Sequence, residues 1–350
     1  MINPKKHLSG KTILVTGGAG FIGSHLVDRL ISYGAKVICF DNLSTGSRGY
    51  VDSMNGHKQF TFVLGDANNL EDLQKVFKQH SIDFVFHYAA VVGVQRTIEE
   101  PMKVLADIEG IKHILELSRQ YKVKKIVYAS SSEIYGNQEM MPLHEETSYY
   151  DIRMPYAMIK SAGENYFRTY WELSNLPSTV LRFFNVYGPR QESSHYGFVV
   201  GIFIAQVLRG ERPTIFHDGK QTRDFTYIAD NIEMSIQALL NKKADGQTFN
   251  IGTGNETSIL ELAEKIIEIS RNRSLKPTLF HKRKLAEIKR RVADVRRAER
   301  ILKYEPRYSL KKGLALTYAW YQEHSSTGIP SKHLSYAWNK KRVWVPRKNG

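Results

Sequence analysis

Side chains suited to acid–base chemistry occur together in the middle of the 350-residue chain. Tyr156 and Lys160 are four residues apart, which places both on one face of a helix that Pro155 would begin. Three serines, at positions 130–132, follow an apolar segment at residues 125–129. Positive charge from the lysine and from a cationic group bound beside it would lower the pKa of the phenol, giving a base that works near neutral pH. A lone Tyr-x-x-x-Lys is also typical of an amphipathic helix surface, so the interpretation depends on the rest of the chain.

A glycine-rich turn near the N-terminus indicates a phosphate site. Gly17, Gly20 and Gly23 lie between an apolar strand pattern at residues 13–15 and a helical stripe formed by Ile22, Leu26 and Leu30. Glycines at this spacing permit a sharp turn, close approach of a pyrophosphate to the backbone, and tight packing of helix on strand. The turn therefore predicts a dinucleotide cradle at a helix N-terminus.

Asp41 lies 24 residues after Gly17, at the end of a second strand pattern over residues 36–40. An acid at this distance is suited to bonding an adenosine ribose and would repel a 2′-phosphate. We therefore expect NAD rather than NADP. The other interpretation is that Asp41 caps the loop over residues 41–46.

The elements that must position these groups alternate along the chain. Strand patterns occur near 11–16, 35–40, 60–64, 82–87 and 125–130, and helix patterns near 21–32, 70–79 and 101–120. Such alternation predicts an α/β fold with a doubly wound parallel sheet. After residue 178 the pattern is mixed, with strands expected at 178–184 and 248–251. We predict a dinucleotide-binding domain over 1–177, to which parts of the later chain return, a smaller mixed α/β substrate lobe over 178–330, and a basic tail over 331–350.

Composition narrows the class of protein. Hydrophobic residues make up 42% of the chain, and no window approaches the roughly 20 apolar residues of a membrane span. The first residues lack the apolar core of a secretion signal, so we expect a cytoplasmic protein. The lone cysteine, Cys39, is expected to be a packed thiol, and no metal site is expected.

The net charge of +15 raises the question of an anionic partner. Residues 331–350 carry six Lys or Arg and no acid, but the basic stretches at 281–284 and 289–291 are short and show no base-reading pattern. The tail also holds aromatic residues. A solvated or docked tail is therefore favoured over a nucleic-acid site.

Together these segments resemble the extended short-chain dehydrogenase/reductases, and specifically the NAD-dependent nucleotide-sugar epimerases and dehydratases. The resemblance covers roughly residues 10–325. It rests on the segments 16–23, 41–46, 65–66, 87–90, 130–136, 156–160, 181–190 and 221–225. It implies a Rossmann-type fold and a transient oxidation, in which Tyr156 removes a sugar hydroxyl proton while hydride passes to NAD and a 4-keto sugar forms.

The resemblance also implies roles for single residues. Ser131 would bond the substrate hydroxyl, with Ser132 beside it, and Lys160 would bond the nicotinamide ribose and lower the pKa of Tyr156. The second lobe would hold the nucleotide diphosphate through Asn185 and two arginines, Arg223 and Arg291; Arg291 can also be read as one member of a solvated basic run. The cofactor would be lined by Gly17, Gly20, Phe21, Ile22, Gly23, Asp41, Asn42, Ser44, Gly46, Asp66, Ala67, Ala89 and Ala90.

Two positions depart from the family pattern. Asp107 stands where relatives commonly carry an asparagine, which puts an amide contact to the cofactor in doubt. Glu192 stands where glucuronate-processing relatives carry an arginine, and its charge would repel a substrate carboxylate. A neutral hexose or amino-hexose is therefore favoured.

Glu133 leaves the reaction type open. A carboxylate after the serine run resembles certain dehydratases and decarboxylases, whereas the segments 41–46 and 181–191 look more like 4-epimerases. Glu133 can also be a loop carboxylate satisfied by backbone N–H groups. We place C4 epimerisation first, 4,6-dehydration second and decarboxylation third.

Two further expectations concern partners. The family pairs the helices near 101–120 and 156–174 in a homodimer, and the first carries more apolar residues than one stripe needs. A non-catalytic NAD-binding or nucleic-acid-binding protein of the same fold is the alternative of another class. The intact set of Ser131, Tyr156 and Lys160 argues against it.

Overall fold

The computed structural model describes residues 2–146, 154–194, 197–272, 274–280 and 288–324, and the backbone alone of 336–338 and 344–346. For residues 94, 95 and 280 only the backbone is described. Most of the predicted basic tail and residues 281–284 lie outside these ranges. The backbone segments Tyr336–Trp338 and Trp344–Pro346 pair in antiparallel fashion.

The centre of the molecule is a seven-stranded parallel sheet with the strand order β11-β6-β5-β4-β1-β2-β3. Its strands are β1 (Thr12–Thr16), β2 (Lys36–Asp41), β3 (Phe60–Leu64), β4 (Phe84–His87), β5 (Lys125–Ser131), β6 (Ser178–Phe183) and β11 (Gln247–Ile251). The five strands expected in the first half are all present, and the α/β class is confirmed.

Eleven helices are described in these ranges. They are α1 (Pro4–Leu8), α2 (Phe21–Ser32), α3 (Leu70–Gln79), α4 (Val94–Glu99), α5 (Pro101–Gln120), α6 (Pro155–Ser174), α7 (Val199–Leu208), α8 (Ile228–Leu240), α9 (Ile259–Ser270), α10 (Arg296–Leu302) and α11 (Leu310–His324). Among the described residues, no helix is long and apolar enough to cross a membrane.

Both faces of the sheet are buried, which explains the continuous apolar runs of its strands. In β1, Ile13 and Val15 face a core that includes α2 and α8, while Leu14 faces a second core with α3, α5 and α6. Cys39 in β2 is a free, buried thiol in the first core, as expected. Successive side chains along a strand point to opposite faces of the sheet, so each face has its own apolar core, and helices cover both faces.

Two of the strands after residue 177 belong to the main sheet. β6 pairs with β5, and β11 pairs with β6, so the main sheet continues past the boundary drawn from the sequence. The remaining strands form small pairs: β7 (Asn185–Tyr187) with β10 (Phe225–Tyr227), β8 (Thr214–Phe216) with β13 (Thr278–Phe280), and β9 (Thr222–Arg223) with β12 (Thr257–Ser258). The two strands expected in this part of the chain, at 178–184 and 248–251, are β6 and β11 of the main sheet, whereas the short strands of the small pairs were not predicted.

Candidate functional site

The glycine-rich turn lies between β1 and α2 at the carboxyl edge of the sheet. Gly17 has φ +69°, and a Cβ there would lie 2.7 Å from the Ala89 backbone nitrogen. A Cβ on Gly23 would overlap the Gly17 carbonyl oxygen. Only glycine fits at either position, so the turn leaves backbone N–H groups at the start of α2 exposed to a phosphate ligand.

Asp41 ends β2 beside this turn and is 7% exposed. Its carboxylate accepts hydrogen bonds from the backbone nitrogens of Ala19 (2.9 Å) and Leu43 (2.7 Å). Burial raises the pKa of Asp41, and these backbone donors act in the opposite direction. Asp41 therefore caps its loop and lines the cleft at once, and its bond to a ribose stays a prediction.

Asn42 and Asp66 form the wall of the cleft next to Asp41. The Asn42 amide donates to Asp66 (3.0 Å) and its carbonyl oxygen accepts from the Ser44 nitrogen (2.9 Å). Gly46 does not line the cleft: a Cβ there would lie 2.9 Å from Asp41 Oδ1. It packs against Asp41 and Ala19, and its contact with the cofactor stays a prediction.

The predicted acid–base group is assembled by β5 and α6. Lys160 is 4% exposed, and its ammonium donates to the Ala129 carbonyl oxygen at 2.7 Å and lies 5.6 Å from the centre of the Tyr156 ring. The Ser131 hydroxyl shares a hydrogen bond with Tyr156 and accepts one from the Glu133 nitrogen (3.2 Å). The i, i+4 spacing on α6 therefore brings these side chains together at the end of β5, as the sequence predicts.

Burial dominates the electrostatics of Tyr156 and Lys160 in the protein without NAD. Burial raises the pKa of Tyr156 above that of a free phenol, and the hydrogen bond with Ser131 only partly offsets this. Burial also lowers the pKa of Lys160 to about 8, against the opposing effects of Asp107 and Glu164. The lowered phenol pKa depends on the bound nicotinamide as well as on the lysine, and it stays a prediction for the NAD complex.

Glu133 forms an ion pair with Arg291, which the sequence had assigned to the diphosphate. The Arg291 side chain is 2% exposed and does not line the cleft, whereas Glu133 does and is 38% exposed. The charges of Arg291 and Arg223 lower the pKa of Glu133 despite its partial burial. Arg291 Nε and Nη2 have no hydrogen-bond partner among the described residues.

Asn185 and Arg223 lie on the opposite wall, on β7 and β9. Arg223 Nη1 donates to the carbonyl oxygens of Thr222 (2.8 Å) and Ile288 (2.9 Å). The buried Oδ1 of Asn185 has no hydrogen-bond partner within the described ranges. Both residues line the cleft, so they are placed where a ligand could reach them.

The cleft has a volume of about 1410 Å³. Its walls include every predicted site residue except Gly46 and Arg291. The predicted residues along it are Gly17, Gly20, Phe21, Ile22, Gly23, Asp41, Asn42, Ser44, Asp66, Ala67, Ala89, Ala90, Ser131, Ser132, Glu133, Tyr156, Lys160, Asn185 and Arg223. One continuous cleft therefore connects the cradle, the acid–base group and the second lobe.

The two departures from the family pattern also lie at the cleft. Asp107 accepts from the Val91 nitrogen (2.7 Å) and the Asn68 amide (3.3 Å), and burial raises its pKa. Glu192 is paired with Arg96, at 3.4 Å. Sequence reasoning missed Arg96, because no motif marks it.

A buried ion pair between Arg182 and Glu164 holds α6, the helix that carries Tyr156 and Lys160, against the sheet. Glu164 lies one turn after Lys160 and accepts from Arg182 Nε (2.9 Å) and Nη2 (2.7 Å) and from the Ser130 hydroxyl. Arg182 lies on β6, so this pair ties α6 to both β5 and β6. Sequence reasoning missed it as well, since the two residues lie on different elements.

Comparisons with known proteins identify the family of the chain. The family model described as GDP-mannose 4,6 dehydratase matches residues 14–317. A putative UDP-glucose 4-epimerase of Methanocaldococcus jannaschii is 36% identical over 318 residues, covering 90% of this chain and 100% of the relative. A UDP-N-acetyl-alpha-D-glucosaminuronate decarboxylase of Bacillus cytotoxicus is 35% identical over 323 residues, covering 89% of this chain and 98% of the relative.

Solved structures give the same result. A Thermotoga maritima UDP-glucose 4-epimerase with UDP-glucose has a TM-score of 0.84 and 35% identity, covering 89% of this chain and 99% of its own. Two NAD complexes are also similar. The Thermus thermophilus UDP-glucose 4-epimerase (TM-score 0.80, 31% identity) covers 88% of this chain and 98% of its own, and the Bacillus anthracis dTDP-glucose 4,6-dehydratase (TM-score 0.80, 27% identity) covers 91% and 98%.

The glycine-only turn and the long cleft fit a dinucleotide, and the similar structures hold NAD. The cofactor is NAD. The chain belongs to the NAD-dependent nucleotide-sugar epimerases, dehydratases and decarboxylases of the extended short-chain dehydrogenase/reductase family.

Proposed function

We propose that the protein is an NAD-dependent C4 epimerase of a nucleotide-hexose whose sugar is neutral. The observation that carries this proposal is the ion pair between Glu133 and Arg291. Among the predicted catalytic residues, Glu133 is the one that epimerisation does not need. Its pairing with Arg291 gives it a role that requires no proton transfer.

Three side chains supply what epimerisation needs. Tyr156 holds the proton taken from the C4 hydroxyl, and the Ser131 hydroxyl bonds the same oxygen and orients it. Lys160, fixed by the Ala129 carbonyl, keeps a positive charge next to the phenol and favours its ionised form. NAD would supply a reversible hydride acceptor, so that loss of hydride from C4 leaves a 4-keto sugar. This sugar turns within the cleft, hydride comes back to the opposite face of C4, and Tyr156 returns its proton to the C4 oxygen.

Dehydration would need a base for the proton on the carbon beside the 4-ketone. Glu133 is the only carboxylate in the serine run, but the neighbouring arginines lower its pKa. A carboxylate that holds protons less tightly is a weaker base. The pairing with Arg291 therefore favours epimerisation over the lyase reactions.

The names of the similar 4-epimerases and the polar residues of the cleft together support a choice of substrate. The similar 4-epimerases carry UDP-sugars in their names, so we propose a UDP-hexose. The Arg223 guanidinium would donate to the diphosphate, whereas Asn185 Oδ1, which has no hydrogen-bond partner among the described residues, would accept from a neighbouring hydroxyl or N–H of the substrate. In this proposal Arg291 is a positioning residue that acts through Glu133.

A lyase is the second candidate, favoured by one observation. The Glu133 carboxylate is 38% exposed in the cleft, so it is able to meet a substrate atom despite its pairing. One similar relative is named a sugar-nucleotide decarboxylase. This candidate assigns proton transfer to Glu133.

Turnover of the Glu133→Gln variant on UDP-glucose distinguishes the two candidates. The amide keeps the shape and a bond to Arg291 while removing the base, so an epimerase retains most of its kcat. A lyase instead stalls after oxidation, and absorbance at 340 nm reports enzyme-bound NADH accumulating. Glu139→Gln serves as the control, because it removes a carboxylate from an exposed residue six positions further along the chain that does not line the cleft.

A further inference from the structure

Tyr128 lies behind the acid–base group and takes no part in the proposed reaction. It is on β5, is fully buried and does not line the cleft. The Lys160 ammonium lies over its ring, with Nζ 5.1 Å from the ring centre, and is 5.6 Å from the centre of the Tyr156 ring. The lysine is thus flanked by two aromatic rings, of which only Tyr156 faces the cleft.

The ammonium of Lys160 has more donors than oxygen partners. It carries three N–H groups, and among the described residues only the Ala129 carbonyl oxygen accepts from it, at 2.7 Å. A ring face carries partial negative charge and attracts a cation within about 6 Å, most strongly where both are shielded from water. Lys160 is 4% exposed and Tyr128 is 0% exposed, so the site is shielded. The Tyr128 ring therefore gives the lysine a second stabilising contact.

Stacking on two sides fixes the position of the Tyr128 ring. Phe167 on α6 stacks on it at 4.6 Å between ring centres and His87 on β4 at 6.0 Å, with interplanar angles of 13° and 17°. The His87 ring in turn shares a hydrogen bond of 2.8 Å with the Thr16 hydroxyl. A Cβ on Gly163 would overlap the Tyr128 hydroxyl, so α6 leaves room for this ring only because a glycine is there. The ring therefore has little freedom to move away from the lysine.

The hydroxyl group of Tyr128 is not needed for this contact. It is buried and has no hydrogen-bond partner among the described residues. Burial raises its pKa, so the phenol is neutral and its ring keeps a negative face without a full charge. Tyr128→Phe should therefore keep the contact, whereas an aliphatic side chain removes it.

The charged and titratable groups that face Lys160 lie on three elements. Burial lowers the pKa of Lys160, and Asp107 on α5 and Glu164 on α6 oppose this. Burial raises the pKa of Tyr156 on α6 and lowers that of His87 on β4 to about 3, so both of these rings are neutral at physiological pH. Replacing the ring on β5 removes none of these groups, so its effect on the lysine can be measured by itself.

We propose that Tyr128 is a positioning residue, whose ring holds the Lys160 ammonium next to Tyr156 through a cation–π contact and favours the charged form of the lysine. The inference rests on the proposed function only through the roles of Tyr156 and Lys160, which epimerisation and the lyase reactions share. It assigns a function to a core side chain that does not line the cleft.

The pKa of Lys160 in the NAD-free protein tests the contact without any sugar. NMR titration of the Lys160 Cε resonance, identified by its absence in Lys160→Met, measures this pKa. Tyr128→Leu should lower it by about 1, because the charged form loses the ring, and Tyr128→Phe should leave it unchanged. Phe86→Leu is the matched control: Phe86 is equally buried on the neighbouring strand β4, but it packs in the core on the opposite face of the sheet.

A series that preserves the shape of the ring covers the case in which Tyr128→Leu does not fold. Phenylalanine with two or three ring fluorines, incorporated at position 128, weakens the negative face of the ring step by step. The pKa of Lys160 should fall in the same order. Turnover of UDP-glucose separates positioning from packing, since Tyr128→Leu should lose at least about tenfold in kcat and Tyr128→Phe should keep the wild-type value.

The outcomes separate this inference from the proposed function. A Lys160 pKa that is the same in the wild type, in Tyr128→Leu and in the fluorinated series overturns the positioning role, and so does an equal fall in Phe86→Leu. Full turnover of UDP-glucose by Tyr128→Leu overturns it as well. The expected pKa changes in a protein that makes no C4 epimer from UDP-glucose overturn the proposed function alone.

Discussion

At the scale of the residue, the Tyr156 hydroxyl carries the proposed chemistry. Tyr156→Phe removes the proton acceptor but keeps the ring, so the protein should stay folded and NAD-bound. Loss of one positioned acid–base group typically costs about 10² to 10⁴ in rate. Steady-state turnover of UDP-glucose measures this cost, and a wild-type rate would show that the tyrosine has been misassigned.

The buried Lys160 leads to a second prediction, which concerns how the free energy of unfolding depends on pH. Its pKa is lowered to about 8 in the folded protein from 10.5 in the unfolded chain, so the folded state binds fewer protons between these values. The free energy of unfolding should therefore rise with pH across this window, and the burial cost is fully present below about pH 8. Comparison with Lys160→Met isolates the effect.

Denaturant titrations of the NAD-free protein from pH 7.5 to 10.5 make this measurement. Relative to Lys160→Met, the wild type should gain up to roughly 3 kcal/mol across the window. A difference between the two proteins that does not change with pH would mean that Lys160 keeps an ordinary pKa.

At the scale of the element, the Arg182–Glu164 pair holds α6 against the sheet. Their side chains are 3% and 10% exposed. Arg182→Met would leave the Glu164 charge buried without its partner, at a cost of about 3–5 kcal/mol in the free energy of unfolding. Chemical denaturation of the variant and the wild type measures this loss in the free energy of unfolding.

Arg209→Met provides the comparison, because Arg209 pairs with Glu211 at the surface. An exposed pair contributes only about 0–1 kcal/mol. Equal losses in the two variants would contradict a supporting role for Arg182.

The sequence predicted the elements that local patterns specify. The glycine turn, the first five strands, and the helix that places Tyr156 and Lys160 together all depend on short-range spacing. Burial on both faces of the sheet made the strand patterns unambiguous in that half of the chain. The long cleft follows from the same features, because parallel strands end at one edge.

What the sequence did not predict depends on contacts between distant segments. Arg291 meets Glu133, Arg96 meets Glu192, and Arg182 meets Glu164 across different elements, with no spacing rule to reveal them. The raised pKa of Tyr156 in the protein without NAD was not predicted for the same reason, because the burial of its side chain depends on the assembled fold. The sheet positions of β6 and β11 likewise depend on pairing.

At the scale of the whole molecule, the homodimer stays a prediction, but a different set of apolar residues now supports it. Val104, Ile111, Ile114 and Leu115 on α5 are buried in the chain's own core, so the surplus of apolar residues on that helix is mostly absorbed. Other apolar side chains on α5 and α6 remain exposed, however. They are Met102 (75% exposed), Met158 (45%), Tyr166 (38%) and Leu173 (80%).

We expect a dimer of twice the 40.2 kDa chain mass, with this surface at the interface. Leu173→Glu should shift the protein to monomers in sedimentation experiments at micromolar concentration. Leu64→Glu is the control, since Leu64 is 66% exposed but lies on β3. A wild type that sediments only at 40.2 kDa would count against the dimer.

The central claim is that C4 is the only carbon whose configuration changes and that no carbon-bound proton exchanges with water. Mass spectrometry and NMR of the product formed from UDP-glucose in heavy water test it most directly. The account predicts a C4 epimer of unchanged mass, with its C6 hydroxyl retained and no deuterium at C5. A product lighter by one water that carries deuterium at C5 would contradict the account.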